Sequence, residues 1–311
     1  MDFTDFTTGK DDIGRRLDKL VKILVPHLPL SNIYQSIRKG LIKVNGKASK
    51  NDYRIKEGDL LSLASFLFEK GVQTSEEKKS APTSSSPYKI RNLIVFENEH
   101  ILILNKPAGI NVHKATKKEI SLTELVEDYY KNTRKNQSLS FKPGPLHRLD
   151  KMTRGLVCFS MSLEAAKWFN QELQAHQIKK TYCASLQGLV QESQTWHDYI
   201  LKEEESGDDF HTVKVIPGNE KELPLQAKKC ITRIIPLETF EKEGKTYTKA
   251  QFLIETGRQH QIRAQSAFHG YPLAGDTAYG AEKGPQPFDL TAIKLEFPPN
   301  PLGLPAQINL P

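Results

Sequence analysis

The sequence predicts an α+β fold in two parts: a small mixed unit, then a larger one on a mixed, mainly antiparallel β-sheet with flanking helices. Three observations predict it. Residues 70–88 are rich in Ser and Pro, and Val72 is their only large aliphatic side chain. Such a stretch buries too little apolar surface to offset the entropy of ordering it. It reads as a flexible linker between a domain at 1–69 and a domain at 89–311. Before this seam, two helical stripes precede short β runs. After it, short apolar runs outnumber helical stripes and do not alternate with them, which argues against a doubly wound parallel sheet.

In the first part, Leu17, Leu20, Val21 and Leu24 recur at i, i+3, i+4 and i+7, one apolar helix face. Pro26 and Pro29 end that helix. Ser31 or Asn32 is placed to cap a second helix, with Ile33 and Ile37 on its core side, Arg38 and Lys39 in its last turn and Gly40 at C′. Ile42–Val44 is a short strand entering an Asn45-Gly46 turn, and Gly58-Asp59 leads to a last strand over Leu60–Leu63.

In the second part, Leu93–Phe96 and Ile101–Leu104 flank a polar tetrapeptide as a hairpin, and Lys106-Pro107-Ala108-Gly109 is a turn. Leu122, Leu125, Val126 and Tyr129 mark a helix, Gly155–Phe159 a buried strand, and Leu163, Ala166, Phe169 and Leu173 an amphipathic helix. Thr181–Leu186, Lys229–Ile235 and Lys249–Glu255 read as strands, and Gln259–His269 as a helix stopped at Gly270.

Composition narrows the function classes. The 311 residues carry 44 Lys+Arg and 37 Asp+Glu, a formal charge of +7, and this basic excess suits a polyanion partner. Residues 1–68 hold 12 Lys/Arg against 8 Asp/Glu, so +4 of that +7 sits in under a quarter of the chain. No run approaches the ~18 apolar residues of a membrane helix, and the first residues have neither the basic nor the apolar region of a secretory signal. Cys158, Cys183 and Cys230 are too few and too widely spaced for a disulfide framework or a CxxC site. They read as reduced, mostly buried thiols of a cytoplasmic protein; a catalytic cysteine is the weaker reading, since nothing local clearly lowers a thiol pKa. No metal cluster, Walker A sequence or GxGxxG fingerprint is evident. A monomer is the default.

Arg16-Leu17-Asp18-Lys19-Leu20, then Arg38 through Gly46, then Gly58-Asp59 resemble, as an ordered set, the S4-like RNA-binding domain over residues 14–65. The resemblance implies RNA binding, with Arg16, Arg38, Lys39 and Lys43 as contacts. Where that family has Ser-Arg before its second helix, this chain has Ser31-Asn32. The bland alternative is a small basic domain with a solvated charged face.

Three segments of the second part carry candidate chemistry. His147 to Gly155 begins as a loop and runs into a buried strand. Arg148 and Asp150 would face one way in extended backbone, with Leu149 pointing inward, and a carboxylate among Arg148, Lys151 and Arg154 is ionised at neutral pH. For an arbitrary charged loop, a surface ion-pair cluster is the commoner explanation. In Glu255 to Gln265 a strand turns through Gly257 into a helix on which His260 and Arg263 share a face, with Arg258 beside its start; the alternative is a basic surface helix. Lys180-Thr181-Tyr182-Cys183-Ala184 is a strand start with one aromatic, most often a packing feature.

Together with Lys106–Gly109, Gly270–Asp276 and Tyr279-Gly280, and in this order, the segments resemble the RluA-type pseudouridine synthase family over about residues 92–298. The resemblance implies isomerisation of uridine in structured RNA, large-subunit ribosomal RNA first and transfer RNA second, with no cofactor. It implies Asp150 as the essential catalytic group, Arg263 as the charge partner of that carboxylate, and Tyr182 packed against the uracil. Arg148 would help hold the displaced nucleotide, with His147, Arg258 and His260 as further RNA contacts. An enzyme acting on a base must take it out of its stack. The chain departs from the family pattern at Arg154, Gln265, Thr291 and Pro298, which bears on substrate subtype.

Three rival readings fit less well. A non-catalytic RNA-binding or ribosome-assembly protein does not require Asp150, Tyr182 and Arg263 together. A glycosidase needs a second carboxylate flanking the bond, and no matching motif supplies one beside Asp150. A kinase reading of His-Arg-x-Asp fails on spacing and lacks the Gly-rich loop and Asp-Phe-Gly.

Overall fold

The computed structural model describes residues 1–68, 88–116, 119–134, 138–202, 212–284 and 287–310. The linker expected at 70–88 lies outside the described residues apart from Tyr88.

The chain opens with β1 (Phe3–Thr7), a strand that the sequence pattern does not announce, followed by α1 (Leu17–Leu24) and α2 (Leu30–Arg38). The second helix begins at Leu30 with Pro29 in the N-cap position, so neither Ser31 nor Asn32 caps it. β2 (Ile42–Val44), β3 (Lys47–Ala48) and β4 (Leu60–Ala64) complete a sheet in the order β1-β4-β2-β3. The helices bury Leu17, Leu20, Val21, Ile33 and Ile37 in one core with Ile42, Leu61 and Leu63 of this sheet and with Ile55 of the loop before β4. Asn45 and Gly46 both have positive φ, the geometry of the expected hairpin turn. Asp59 pins that turn: it accepts from Asn45 Nδ2 at 2.8 Å and from the Lys56 N–H at 2.8 Å.

Beyond it come β5 (Ile94–Glu97), β6 (Ile101–Lys106), α3 (Leu122–Thr133), β7 (Gly144–Pro145), β8 (Arg154–Ser160), α4 (Leu163–Gln174), β9 (Lys179–Gln187), β10 (Gln194–Lys202), β11 (Val213–Pro217), β12 (Lys228–Lys242), β13 (Lys245–Ile254), α5 (Gln261–Phe268), β14 (Thr291–Glu296) and β15 (Gln307–Asn309). The strands form one sheet in the order β11-β10-β12-β13-β9-β14-β8-β6-β5, with β15 on β14 and β7 on β8. β8 and β14 run parallel and the other registered pairs antiparallel, as the expected mixed, mainly antiparallel sheet requires. The parallel crossing demands glycine. Gly155 has φ +106°, and a Cβ there would meet the Ala292 carbonyl oxygen at 2.2 Å. Ile101, Ile103, Leu156, Cys158, Phe169 and Leu295 are central to the core on one side of this sheet.

Contacts divide the described chain into two compact units. The first joins Met1–Lys89 to Leu125–Gly144 and Met161–Glu164; the second holds Ile90–Glu124, Pro145–Ser160 and Ala165–Pro311. This differs from the linear division 1–69, 70–88 and 89–311, because segments distant in sequence pack with the N-terminal residues. Asp12 shows why. Its buried carboxylate accepts from Ser138 Oγ at 2.8 Å, the Leu139 N–H at 2.9 Å, and both the N–H and Oγ of Ser140. Burial raises the Asp12 pKa, but these bonds outweigh it and hold the group below the usual carboxylate range. Among the described residues no helix is long and apolar enough to cross a membrane.

Candidate active site

Asp150 lies in the loop before β8, half-buried, and two devices hold it. Leu149 is buried beneath it, as the alternation of the loop predicts. Lys106, at the end of β6, is fully buried, and its ammonium donates to the carbonyls of Pro107 (3.0 Å), Ile110 (2.9 Å) and Lys151 (2.9 Å). The Gly109 N–H adds a bond to the same Lys151 carbonyl at 2.9 Å. Lys106 therefore fastens the 106–110 turn to the Asp150 loop. Burial pushes its pKa down to about 8, against the opposing charge of Asp150. The sequence marks this motif as a turn and as part of the family pattern but gives the lysine no role, because nothing local shows that it will be buried with its three protons satisfied.

Tyr182 enters from β9, where it is registered with Phe252 of β13 and Ala292 of β14. Its side chain is buried, and burial together with the nearby charge of Asp150 raises the phenol pKa well above its usual value. The group is thus held as a neutral donor at ordinary pH.

α5 supplies the third set. The sequence predicts a helix from Gln259, yet His260 is in the left-handed region at φ +52° and the helix begins at Gln261. His260 Nε2 lies 3.9 Å from Asp150 Oδ2. Burial lowers its pKa, and the charges of Arg263 and Arg148 add to this, outweighing those of Asp150 and Asp276. Arg263, one turn on, corrects an expectation. Its hydrogen-bonded partner is Asp276, not Asp150, through a two-pronged pair of 2.7 and 2.8 Å. Its guanidinium also lies 4.4 Å from the ring centre of Phe288 and 4.9 Å from that of Tyr279. Burial lowers the Arg263 pKa, but Asp276 and then the field of Asp150 outweigh it, for a net rise. The sequence places Asp276 in a motif without assigning it a role; its pairing depends on a loop returning to the helix.

The back of α5 is held by buried polar groups. Gln261 Nε2 donates to Thr232 Oγ1 at 2.9 Å, Thr232 to Gln265 Oε1 at 2.6 Å, and Gln265 Nε2 to Asp198 at 2.6 Å. The departure at Gln265 thus joins this network. The departures at Arg154 and Thr291 meet at Asp289, which accepts from both at 2.6 and 3.1 Å.

Residues 100–268, just over half of the chain, match the sequence profile of the family described as RNA pseudouridylate synthase, and residues 15–61 that of the S4 domain. The chain belongs to the RNA pseudouridylate synthase family. This synthase is 29% identical over 274 residues to the ribosomal large subunit pseudouridine synthase C of Vibrio parahaemolyticus, covering 87% of this chain and 78% of that one. It is 26% identical over 313 residues to the same-named protein of Vibrio vulnificus, covering 97% and 90%. Human RNA pseudouridylate synthase domain containing 1 shares the fold at a TM-score of 0.57 and 24% identity, covering 73% of this chain and 86% of that one.

The remaining expected contacts fall into two groups. In the synthase, His147 is not free to meet RNA, a second correction. Its ring stacks on Phe169 at 6.1 Å, its Nε2 accepts the Cys158 N–H at 3.2 Å, and burial pushes its pKa down to about 3, with the Lys180 charge adding. Arg148 and Arg258 are exposed, the latter donating to the Lys229 carbonyl at 3.0 Å. In the S4 domain, Arg38 and Lys39 are exposed. Arg38 borders a cavity of about 380 Å³ with Tyr34, Ser49, Lys50 and Asn51. Arg16 is engaged with buried Asp18 at 2.9 and 3.1 Å, and Lys43 lies 4.6 Å from the ring centre of Phe3. The three cysteines are unpaired thiols, and burial raises the pKa of each.

Proposed function

We propose that this synthase converts uridine to pseudouridine at a specific site in structured RNA, with Asp150 as the essential catalytic carboxylate. The observation that carries this reading is the gathering of Tyr182, His260, Arg263 and Lys106, from three separate segments, in the field of Asp150. Large-subunit ribosomal RNA is the first substrate, because the curated relatives are named for it; transfer RNA is the second. The reaction takes place in the cytoplasm.

The isomerisation breaks N1–C1′, forms C5–C1′, and moves a proton from C5 to N1 without redox change. Asp150 acts on the flipped nucleotide. Tyr182, a neutral phenol, packs against the uracil as a hydrogen-bond donor and is a poor base at neutral pH. Arg263, neutralised by Asp276, stabilises the carboxylate through space rather than by contact. Arg148 and Arg258 hold displaced phosphates or fill the vacated stack, while Arg16, Arg38, Lys39 and Lys43 grip RNA from the S4 domain.

The test is tritium release from RNA labelled at uracil C5, since that carbon must lose its hydrogen. Wild type is expected to release tritium from ribosomal RNA, and Asp150→Asn to release none while binding RNA with nearly unchanged affinity. Turnover by Asp150→Asn would refute the catalytic assignment. Release from transfer RNA alone would move the substrate to the second class.

A further inference from the structure

His260 occupies the N-cap position of α5, where a Ser, Thr, Asp or Asn side chain would ordinarily satisfy the free amides. It makes no such bond, and its backbone is left-handed at φ +52°. Few non-glycine residues adopt that conformation, and those that do cluster where a side chain must be aimed. Here the turn carries the imidazole to Tyr279, whose Oη lies 2.9 Å from Nδ1 with the two rings nearly perpendicular at 86°.

The hydrogen-bond pattern decides the tautomer. Tyr279 Oη accepts the Val213 backbone N–H at 3.0 Å. The phenol then has one proton to give, and Nδ1 is within reach to accept it, which leaves the ring proton on Nε2. The opposite tautomer would aim two N–H donors at one phenolic oxygen and turn the bare Nε2 lone pair toward a carboxylate. Nε2 is the atom 3.9 Å from Asp150 Oδ2. That is too long for a hydrogen bond and close enough to become one with a small rotation when substrate binds.

We propose that His260 is a positioning residue for the isomerisation: the chain Val213 N–H, Tyr279 Oη–H, His260 Nε2–H orients the Asp150 carboxylate toward the flipped nucleotide. This assigns His260 a role other than RNA contact, and it gives a function to Tyr279, which the sequence places in a motif without a role. It rests on Asp150 being the reacting group. The neutral ring it requires agrees with the downward shift of the His260 pKa, caused first by burial, among the charges of Asp150, Arg263, Asp276 and Arg148.

The experiment compares full-length wild type, His260→Leu, His260→Gln, Tyr279→Phe and the Leu/Phe double variant by tritium release, with RNA affinity and thermal midpoint measured alongside. His260→Leu and Tyr279→Phe are each expected to lower kcat about 10–100-fold, the scale of a misoriented catalytic group. KM should stay within about twofold, because the defect lies in orientation and not in uniform binding. The double variant should lose no more than the worse single one, because the two act as one chain. His260→Gln, whose amide N–H reaches near the Nε2 position, should recover most of kcat. A raised KM with unchanged kcat would make His260 an RNA contact and overturn the proposal. So would additive losses, or no rescue by Gln. Should His260→Leu fail to fold, Tyr279→Phe and His260→Gln decide alone. Wild type without tritium release on either RNA would refute the reading of Asp150 and this inference with it. An active wild type, an inactive Asp150→Asn and unchanged His260 and Tyr279 variants would refute the inference alone.

Discussion

Lys106 shows how far one side chain can govern a reactive loop. Its three protons meet three carbonyls in a fully buried setting, one of them the carbonyl of the residue after Asp150. Removing the ammonium leaves those acceptors in a space that water does not readily reach, at about 1–3 kcal/mol for each group left unpaired. Lys106→Met is therefore expected to lower unfolding stability by about 2–4 kcal/mol in denaturant titration. It should also lower kcat, since the Asp150 loop loses its anchor. A variant of wild-type stability would show that the turn is held by its backbone alone. The site residues differ in the same physical terms. Tyr182 is kept neutral by burial next to a negative charge, Arg263 stays charged because Asp276 neutralises it, and His147 stacks its ring on Phe169.

At the scale of elements, a short link can hold distant segments. Asp12, just before α1, gathers residues 138–140 by four side-chain and backbone donors, with the Gly9 N–H as a fifth at 3.0 Å. Asp12→Ala would strand these donors, at an expected cost of about 2–4 kcal/mol. The pH dependence follows from the shift. The folded pKa is below the unfolded value, so the stabilising contribution is present above about pH 4 and is lost as pH falls through the folded pKa. Denaturant titrations from pH 7 to pH 3 should therefore show a steeper acid loss for wild type than for Asp12→Ala. Parallel curves would mean that the carboxylate is not the group these donors select. α5 is held in a comparable way: Gln261, Thr232, Gln265 and Asp198 fix its back, leaving His260 and Arg263 for the site.

For the molecule as a whole, the basic excess divides the work. On the proposed reading, positive charge concentrated in the S4 domain supplies sequence-independent affinity, and the second unit supplies chemistry. Arg38→Ser with Lys39→Ser removes two exposed cations. RNA affinity should fall, and the slope of log K against log salt should flatten by about 1–2, at ~0.7–0.9 for each phosphate no longer neutralised. Turnover at saturating RNA should stay unchanged. An unaltered slope across a salt series would remove these two residues from the interface.

Local pattern alone determined a good part of this protein. Apolar periodicity located α1, α2, α3 and α4 and the strands around Ile103, Val157 and Tyr182, because a helix face or a buried strand must be continuous in sequence to be continuous in space. The resemblance that motif order carries implied Asp150, Tyr182 and Arg263 as one catalytic set with His260 as an RNA contact, and the family comparison agrees with the family that order suggested. The weaker strands, β1, β10, β11, β14 and β15, escaped, because their stability comes from neighbours across the sheet rather than from their own pattern. What only the tertiary structure decided is pairing: Arg263 with Asp276, Tyr279 with His260, Lys106 with Lys151, Asp12 with residues 138–140. A buried charge must find a partner wherever the fold brings one, and separations of 13 to 128 residues carry no local signal of which partner that will be.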